Sequence, residues 1–131
     1  MNHVETRVER LERLRQKGGW IGVDFDGTLA VYGRWDGGKV GAPIPRMVER
    51  VKAWLAAGIE VRIVTARVGP SLAPAEIVEA RQTIDAWLEQ HLGRTLLITA
   101  SKDHRMVELW DDRAVQVIQN TGERADGLVE P

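Results

Sequence analysis

Cysteine is absent from this chain, which rules out disulfides and thiolate metal sites. Histidine is scarce: His3, His91 and His104 lie far apart with no ligand-like spacing, so an imidazole metal centre is not indicated. Charge of one sign is missing as well. Lys plus Arg number 18 against 19 Asp plus Glu, and a net charge of −1 gives no global pull toward nucleic acid or an acidic membrane, although a local basic site remains open. No run approaches the roughly 20 consecutive apolar residues of a membrane span, and the N-terminus has no apolar leader. We therefore expect a soluble, cytoplasmic protein with no membrane partner. A content of 44% apolar and 28% charged residues over 131 positions fits one globular domain with a real core.

What is present centres on Trp20-Ile21-Gly22-Val23-Asp24-Phe25-Asp26-Gly27-Thr28-Leu29. An apolar run of the kind that forms a buried parallel strand ends in two acids, a glycine and a hydroxyl. In open α/β sheets, ligands bind beyond the carboxyl ends of the strands. Two carboxylates so close resist ionising together unless a cation or a shared proton relieves them, which suits a metal site or an acid/base pair. The plainer alternative is an Asp-Gly turn ending a strand.

Before this stretch, residues 3 to 17 place Val4, Val8 and Leu11 on one helical stripe with Leu14 beside it, and Gly18-Gly19 ends the segment. We expect an amphipathic helix within residues 1–19, with self-association through its stripe a minor option. Residues 30 to 43 are glycine-rich and predict a loop or small flap carrying Tyr32, Arg34, Trp35 and Lys39. Helical spacing then runs from Pro45 to Gly58, and residues 59 to 64 predict a strand ending at Thr65-Ala66-Arg67. A right-handed crossover makes that strand parallel to the first. A second helix is expected from Pro74 to Gly93, strands at 95–100 and 106–110, Asp111-Asp112 after the latter, a fifth strand at 115–118, and a fraying polar tail over 121–131. The alternation predicts one α/β domain, a three-layer, Rossmann-like, doubly wound parallel sheet with its core over residues 20–120. Asp24, Asp26, Thr65, Arg67, Asp111 and Asp112 then share one sheet edge. Taken singly, each has a structural explanation: a turn, a cap or a surface charge.

On these residues the chain resembles the haloacid dehalogenase superfamily of phosphohydrolases, roughly from Trp20 to Asn120. Asp24-Phe25-Asp26-Gly27-Thr28 looks like its first motif, Val64-Thr65-Ala66-Arg67 its second, Lys102 its third and Asp111-Asp112 its fourth. Residues 107 to 122 also resemble small uncharacterised members encoded by phages and bacteria. The resemblance implies that Asp24 attacks phosphorus to form an aspartyl-phosphate and that Asp26 serves as acid and then base. It implies Mg²⁺ held by Asp24, the backbone carbonyl of Asp26, and Asp111, with Asp112 the less certain fourth-motif acid. Thr65 would bind a phosphoryl oxygen beside Ala66 and Arg67, and Lys102 would offset charge, with Arg105 competing for that role. The short intervals leave no room for a cap domain, so the expected site is open unless a partner subunit covers it.

Three functions follow as expectations. The first is a Mg²⁺-dependent phosphomonoester hydrolase. The second is a phosphatase for nucleic-acid ends, since the flap with Gly33-Arg34 and the later Thr65-x-Arg67 are similar to the phosphatase domain of phage polynucleotide kinase. There Arg34 would touch phosphate, although it comes one residue nearer the nucleophile than in that family. The third is a catalytically idle binding or assembly module.

Overall fold

The structure is a computed structural model that describes residues 3–32 and 39–129. Its centre is β1 (Trp20–Val23), every residue of which is buried. Around it lie α1 (Arg7–Lys17), α2 (Pro45–Ala56), β2 (Glu60–Val64), α3 (Pro74–Leu92), β3 (Leu97–Thr99) and β4 (Met106–Trp110). The four strands form one sheet in the order β3-β2-β1-β4, and every pairing is parallel. The protein is thus α/β with a Rossmann-like parallel sheet flanked by helices, as the alternating pattern predicts.

Side chains on a strand alternate between faces, and that period divides the sheet. Ile21, Val23, Val61, Ile63 and Ile98 point to one face and form a single buried cluster with Met47, Val51 and Trp54 of α2 and Ile84, Trp87 and Leu88 of α3. Helix α2 starts with Pro45 at its first turn, and α3 with Pro74, where the missing amide hydrogen costs nothing. The opposite face is crossed by the return connection over residues 100–105. There Asp103 accepts hydrogen bonds from Trp20 Nε1 at 2.9 Å and from Arg62 Nη1 at 3.4 Å, and the Arg62 guanidinium lies 4.5 Å over the Trp20 ring. Only six residues join β3 to β4, too few for a helical crossover, and they end in a turn closed by Met106 N to Asp103 O at 3.1 Å. The winding reverses beside β1, which puts the topological switch point between the ends of β1 and β4.

Several expectations shift in detail. Helix α1 starts at Arg7, capped by Thr6, whose hydroxyl accepts from Glu9 N at 3.1 Å; Val4 and Val8 are left 84% and 76% exposed. Only Leu14 is buried, with Leu11 packed partly against the core. The fifth strand expected at 115–118 is not formed. Val115 and Val117 share a strand period that Ile118 breaks, all three stay about half exposed, and the segment makes only an isolated bridge from Val117 to Arg124. The start of the tail is a hydrogen-bonded turn rather than frayed chain: Ile118 N donates to Glu123 O at 2.8 Å and Ala125 N to Gln116 O at 2.9 Å. β3 is shorter than expected, at three residues. No helix is long and apolar enough to cross a membrane among the described residues.

Candidate active site

The site grows from the way Phe25 is buried. Its ring is wholly enclosed and meets Trp87 edge to face at 5.0 Å, which turns the neighbouring Asp24 and Asp26 away from the core. The Phe25 carbonyl accepts from the amides of Thr28, Leu29 and Ala30 at 3.3, 3.0 and 2.9 Å, winding the chain into a tight loop directly after β1. Gly27 sits in that loop at φ +86°, and a Cβ there would lie 2.6 Å from Asp112 Oδ2. Glycine is thus required twice over, for its backbone angle and for the carboxylate beside it.

Asp24, Asp111 and Asp112 each present a carboxylate oxygen, and these atoms all lie within 4.8 Å of one another. Asp24 N donates to Trp110 O at 2.9 Å, which locks the end of β1 to the end of β4 and sets this spacing. Thr28, only 8% exposed, ties the acids together. Its Oγ1 accepts from Asp112 N at 3.0 Å and lies 3.2 Å from Asp112 Oδ1 and 3.4 Å from Asp24 Oδ2, either of which can accept its proton. The carboxyl of Asp24 is pushed up from the ordinary 3.8 to about 7. Burial is the main cause, followed by a hydrogen bond with Asp112 and by the charges of Asp111 and Asp112, against a weaker opposing bond from the Phe25 amide. Three hard oxygen donors with an uncompensated negative charge can hold a divalent cation.

Asp26 belongs to a different environment. Its carboxylate is not part of the acidic cluster but is gripped by Arg67, Nε to Oδ2 at 2.6 Å and Nη2 to Oδ1 at 2.9 Å. Arg67 Nη2 also donates to Lys39 O at 3.0 Å, tying β2's end to the flap. Thr65 is 4% exposed and caps the 3₁₀ turn Ala66–Val68, accepting from Arg67 N at 3.2 Å. The cap and the placement in the cleft coexist, because no described residue takes the proton of the Thr65 hydroxyl. The base of the flap is closed by Val31 N to Ala42 O and Ile44 N to Leu29 O, both 2.8 Å; a Cβ on Gly41 would collide with the Val31 carbonyl.

Asp24, Asp26, Thr65, Ala66, Arg67 and Asp111 therefore line one open cleft of about 400 Å³. Tyr32 and Arg113 also line it, with Ala100. Their positions followed from adjacency to the flap and to Asp111-Asp112, but neither the spacing nor the motif assigned them a role. Arg34 lies outside the described residues. Lys102 is not brought into this cleft; it lines a neighbouring groove of about 910 Å³ along β4 that shares Asp111 with it. Arg105 is excluded as its substitute: Nη2 donates to Gly18 O at 2.5 Å and its carbonyl accepts from Trp20 N at 3.0 Å, both at the N-terminal edge of the sheet. That edge also carries a cavity of about 750 Å³ lined by Gly58, Arg81, Asp85 and Arg94. It is bigger than the acidic cleft but brings no cluster of acids together, and Arg81 is spent on Ile98 O at 2.8 Å.

Fold and site together define an α/β parallel-sheet protein whose strand ends carry a cation-competent carboxylate cluster. No family model matches the sequence. No curated protein matches it either. Among solved structures the chain is similar to a conserved protein of Bacteroides thetaiotaomicron, with 20% identity and a TM-score of 0.51 over 75% of this chain and 78% of that one. At that identity the likeness speaks for the fold alone.

Proposed function

We propose that this chain is a Mg²⁺-dependent phosphomonoester hydrolase of the haloacid dehalogenase superfamily, with Asp24 as nucleophile. The observation that carries the reading is the split between two aspartates of one short loop. Asp24 is clustered with Asp111 and Asp112, whereas Asp26 is held two residues away by Arg67. One loop thus offers a nucleophile within a cation-competent cluster and a separately positioned proton carrier.

The donor set fits Mg²⁺, which favours carboxylate oxygens and keeps several waters, and Asp24, Asp111 and Asp112 would hold it, with the Asp26 carbonyl. Bound there, the ion would neutralise the acids and the incoming phosphate, so that Asp24 reacts as a carboxylate. An Asp24 oxygen attacks phosphorus, the ester P–O bond breaks, and Asp26, which takes up a proton from solvent once Arg67 has turned to the phosphoryl group, gives that proton to the departing oxygen. Asp26 then takes a proton from water, whose oxygen attacks phosphorus; the bond from phosphorus to Asp24 breaks and free phosphate leaves. Thr65 donates its hydroxyl to a phosphoryl oxygen. For Asp26 to reach the leaving group, Arg67 must exchange partners, and a phosphoryl group entering the cleft supplies the competing anion. Such positioning and charge neutralisation account for most of phosphoryl-transfer catalysis.

The test is hydrolysis of p-nitrophenyl phosphate with Mg²⁺ and with EDTA, in wild type and in Asp24→Asn. Turnover that needs both the ion and Asp24 is the expected result. No turnover by the wild type under any divalent cation would favour an idle binding module.

A further inference from the structure

Apart from the acidic cleft, the two helices nearest β4 enclose a second, basic one of about 320 Å³. Helix α1 contributes Arg7 and Arg10, and α2 contributes Arg46 and Arg50. Trp54 and Trp110 form its floor, their rings 5.2 Å apart, with the Arg50 guanidinium 5.1 Å over Trp110. Glu49 also lines the cleft, and Glu108 pairs with Arg10, which leaves the four arginines in excess over two acids. In a chain whose total charge is −1, this is a local concentration of positive charge. Arg10 and Arg50 serve the fold through Glu108 and Trp110, but Arg7 and Arg46 bring it no such contact among the described residues. Arg7 and Arg46 open their helices, where the helix dipole favours acids; the first turn of α2 carries no acid at all. Both are exposed and have no carboxylate partner among the described residues. The cleft also neighbours the site through shared lining residues. It shares Arg10 and Trp110 with the groove along β4, and that groove shares Asp111 with the acidic cleft.

We infer that this cleft binds the backbone of a single-stranded nucleic acid whose terminal phosphate enters the Asp24 site. The inference rests on the phosphatase reading for its substrate end. Four arginines brought together by two helices offer the charge-assisted contacts that backbone phosphates take. The open face of Arg50, already stacked on Trp110, offers a base the planar platform that guanidinium and aromatic groups provide in single-strand recognition.

The test uses the whole protein in EDTA with a fluorescein-labelled oligothymidylate lacking a terminal phosphate, so that binding is read apart from turnover. Anisotropy is measured in wild type, Arg7→Ala/Arg46→Ala and the corresponding Lys double variant, between about 50 and 200 mM salt. The alanine variant is expected to bind on the order of tenfold more weakly. Its slope of log affinity against log salt should be shallower by about 1.4, the loss of two single-strand phosphate contacts, and the Lys variant should recover much of the binding. Its kcat/KM for p-nitrophenyl phosphate should equal that of wild type, while that for a phosphate-ended oligonucleotide falls. Equal oligonucleotide affinity in wild type and the alanine variant overturns the inference and leaves Asp24-dependent hydrolysis of the small ester untouched. An acidic peptide of matched charge that binds as tightly overturns the nucleic-acid assignment. Arginine-dependent binding in a protein that hydrolyses no phosphate ester keeps the cleft and overturns the phosphatase reading.

Discussion

Removing the negative charge of Asp24 should stabilise the metal-free protein, and the gain should grow with pH. A carboxyl raised from 3.8 to about 7 in the folded state binds its proton more tightly there than in the unfolded chain. The fold is thus favoured while Asp24 is protonated and loses stability as pH rises from about 4 through about 7. Asp24→Asn keeps the shape and the capacity to hydrogen-bond Asp112, and does not titrate. Two pH units separate about pH 5 from the folded value of about 7, each worth about 1.4 kcal/mol. Relative to wild type, Asp24→Asn should therefore gain at most roughly 3 kcal/mol between about pH 5 and about pH 8, and about half of that once solvent screening of the partly exposed cluster is counted. For a domain of this size that is a difference in Tm of roughly 5–15 °C. Titrations away from the acidic cluster cancel, because they are common to both proteins. Thermal melts in EDTA at the two pH values give the gap, and saturating Mg²⁺ at the higher pH should close most of it by stabilising the wild type. A gap that is the same at both pH values, or a variant less stable than wild type at high pH, would refute the clustering of charge around Asp24.

Three further substitutions probe the supports of the site. Gly27→Ala should cost about 1–3 kcal/mol from backbone strain alone, and should weaken Mg²⁺ binding measured by calorimetry on the order of tenfold because Asp112 must move. Thr28→Val should lose about 1–3 kcal/mol of stability, since Asp112 N is left without its acceptor, whereas Thr28→Ser should restore it in chemical denaturation. Arg67→Ala should lower kcat/KM for p-nitrophenyl phosphate about tenfold to a hundredfold and alter the shape of the pH–rate profile, because Asp26 loses both hydrogen bonds that orient it. An unchanged profile would show that Arg67 does not position Asp26.

The fold was legible where local chemistry and tertiary position agree. The apolar run before Asp24 is β1 because both of its faces are buried, and Phe25 between two acids marks the side that enters the core. The helices after Pro45 and Pro74 start there for a reason visible in the residue itself. Partnerships across the chain were not legible. The acceptor that gives Thr28 its role, Asp112, is 84 residues away, and nothing in the order of residues tells a hydroxyl which carboxylate it will meet. The placing of Lys102 depends on how six residues cross the sheet from β3 to β4, a consequence of strand order rather than of local pattern. Arg67 was legible as a cation at the strand-end cleft but not as the partner of Asp26, because their convergence requires β1 and β2 to lie side by side. Val115 and Val117 have strand propensity without a surface to bury against, and propensity alone does not form an edge strand.

The most direct test of the central claim is mass spectrometry of peptides from protein quenched in acid during turnover of a phosphate ester with Mg²⁺. One phosphoryl group is expected on the peptide that contains Asp24, on Asp24 itself, absent in Asp24→Asn and accumulated in Asp26→Ala, where water is no longer activated. Turnover that proceeds with no phosphorylated Asp24 peptide in either wild type or Asp26→Ala would contradict the claim.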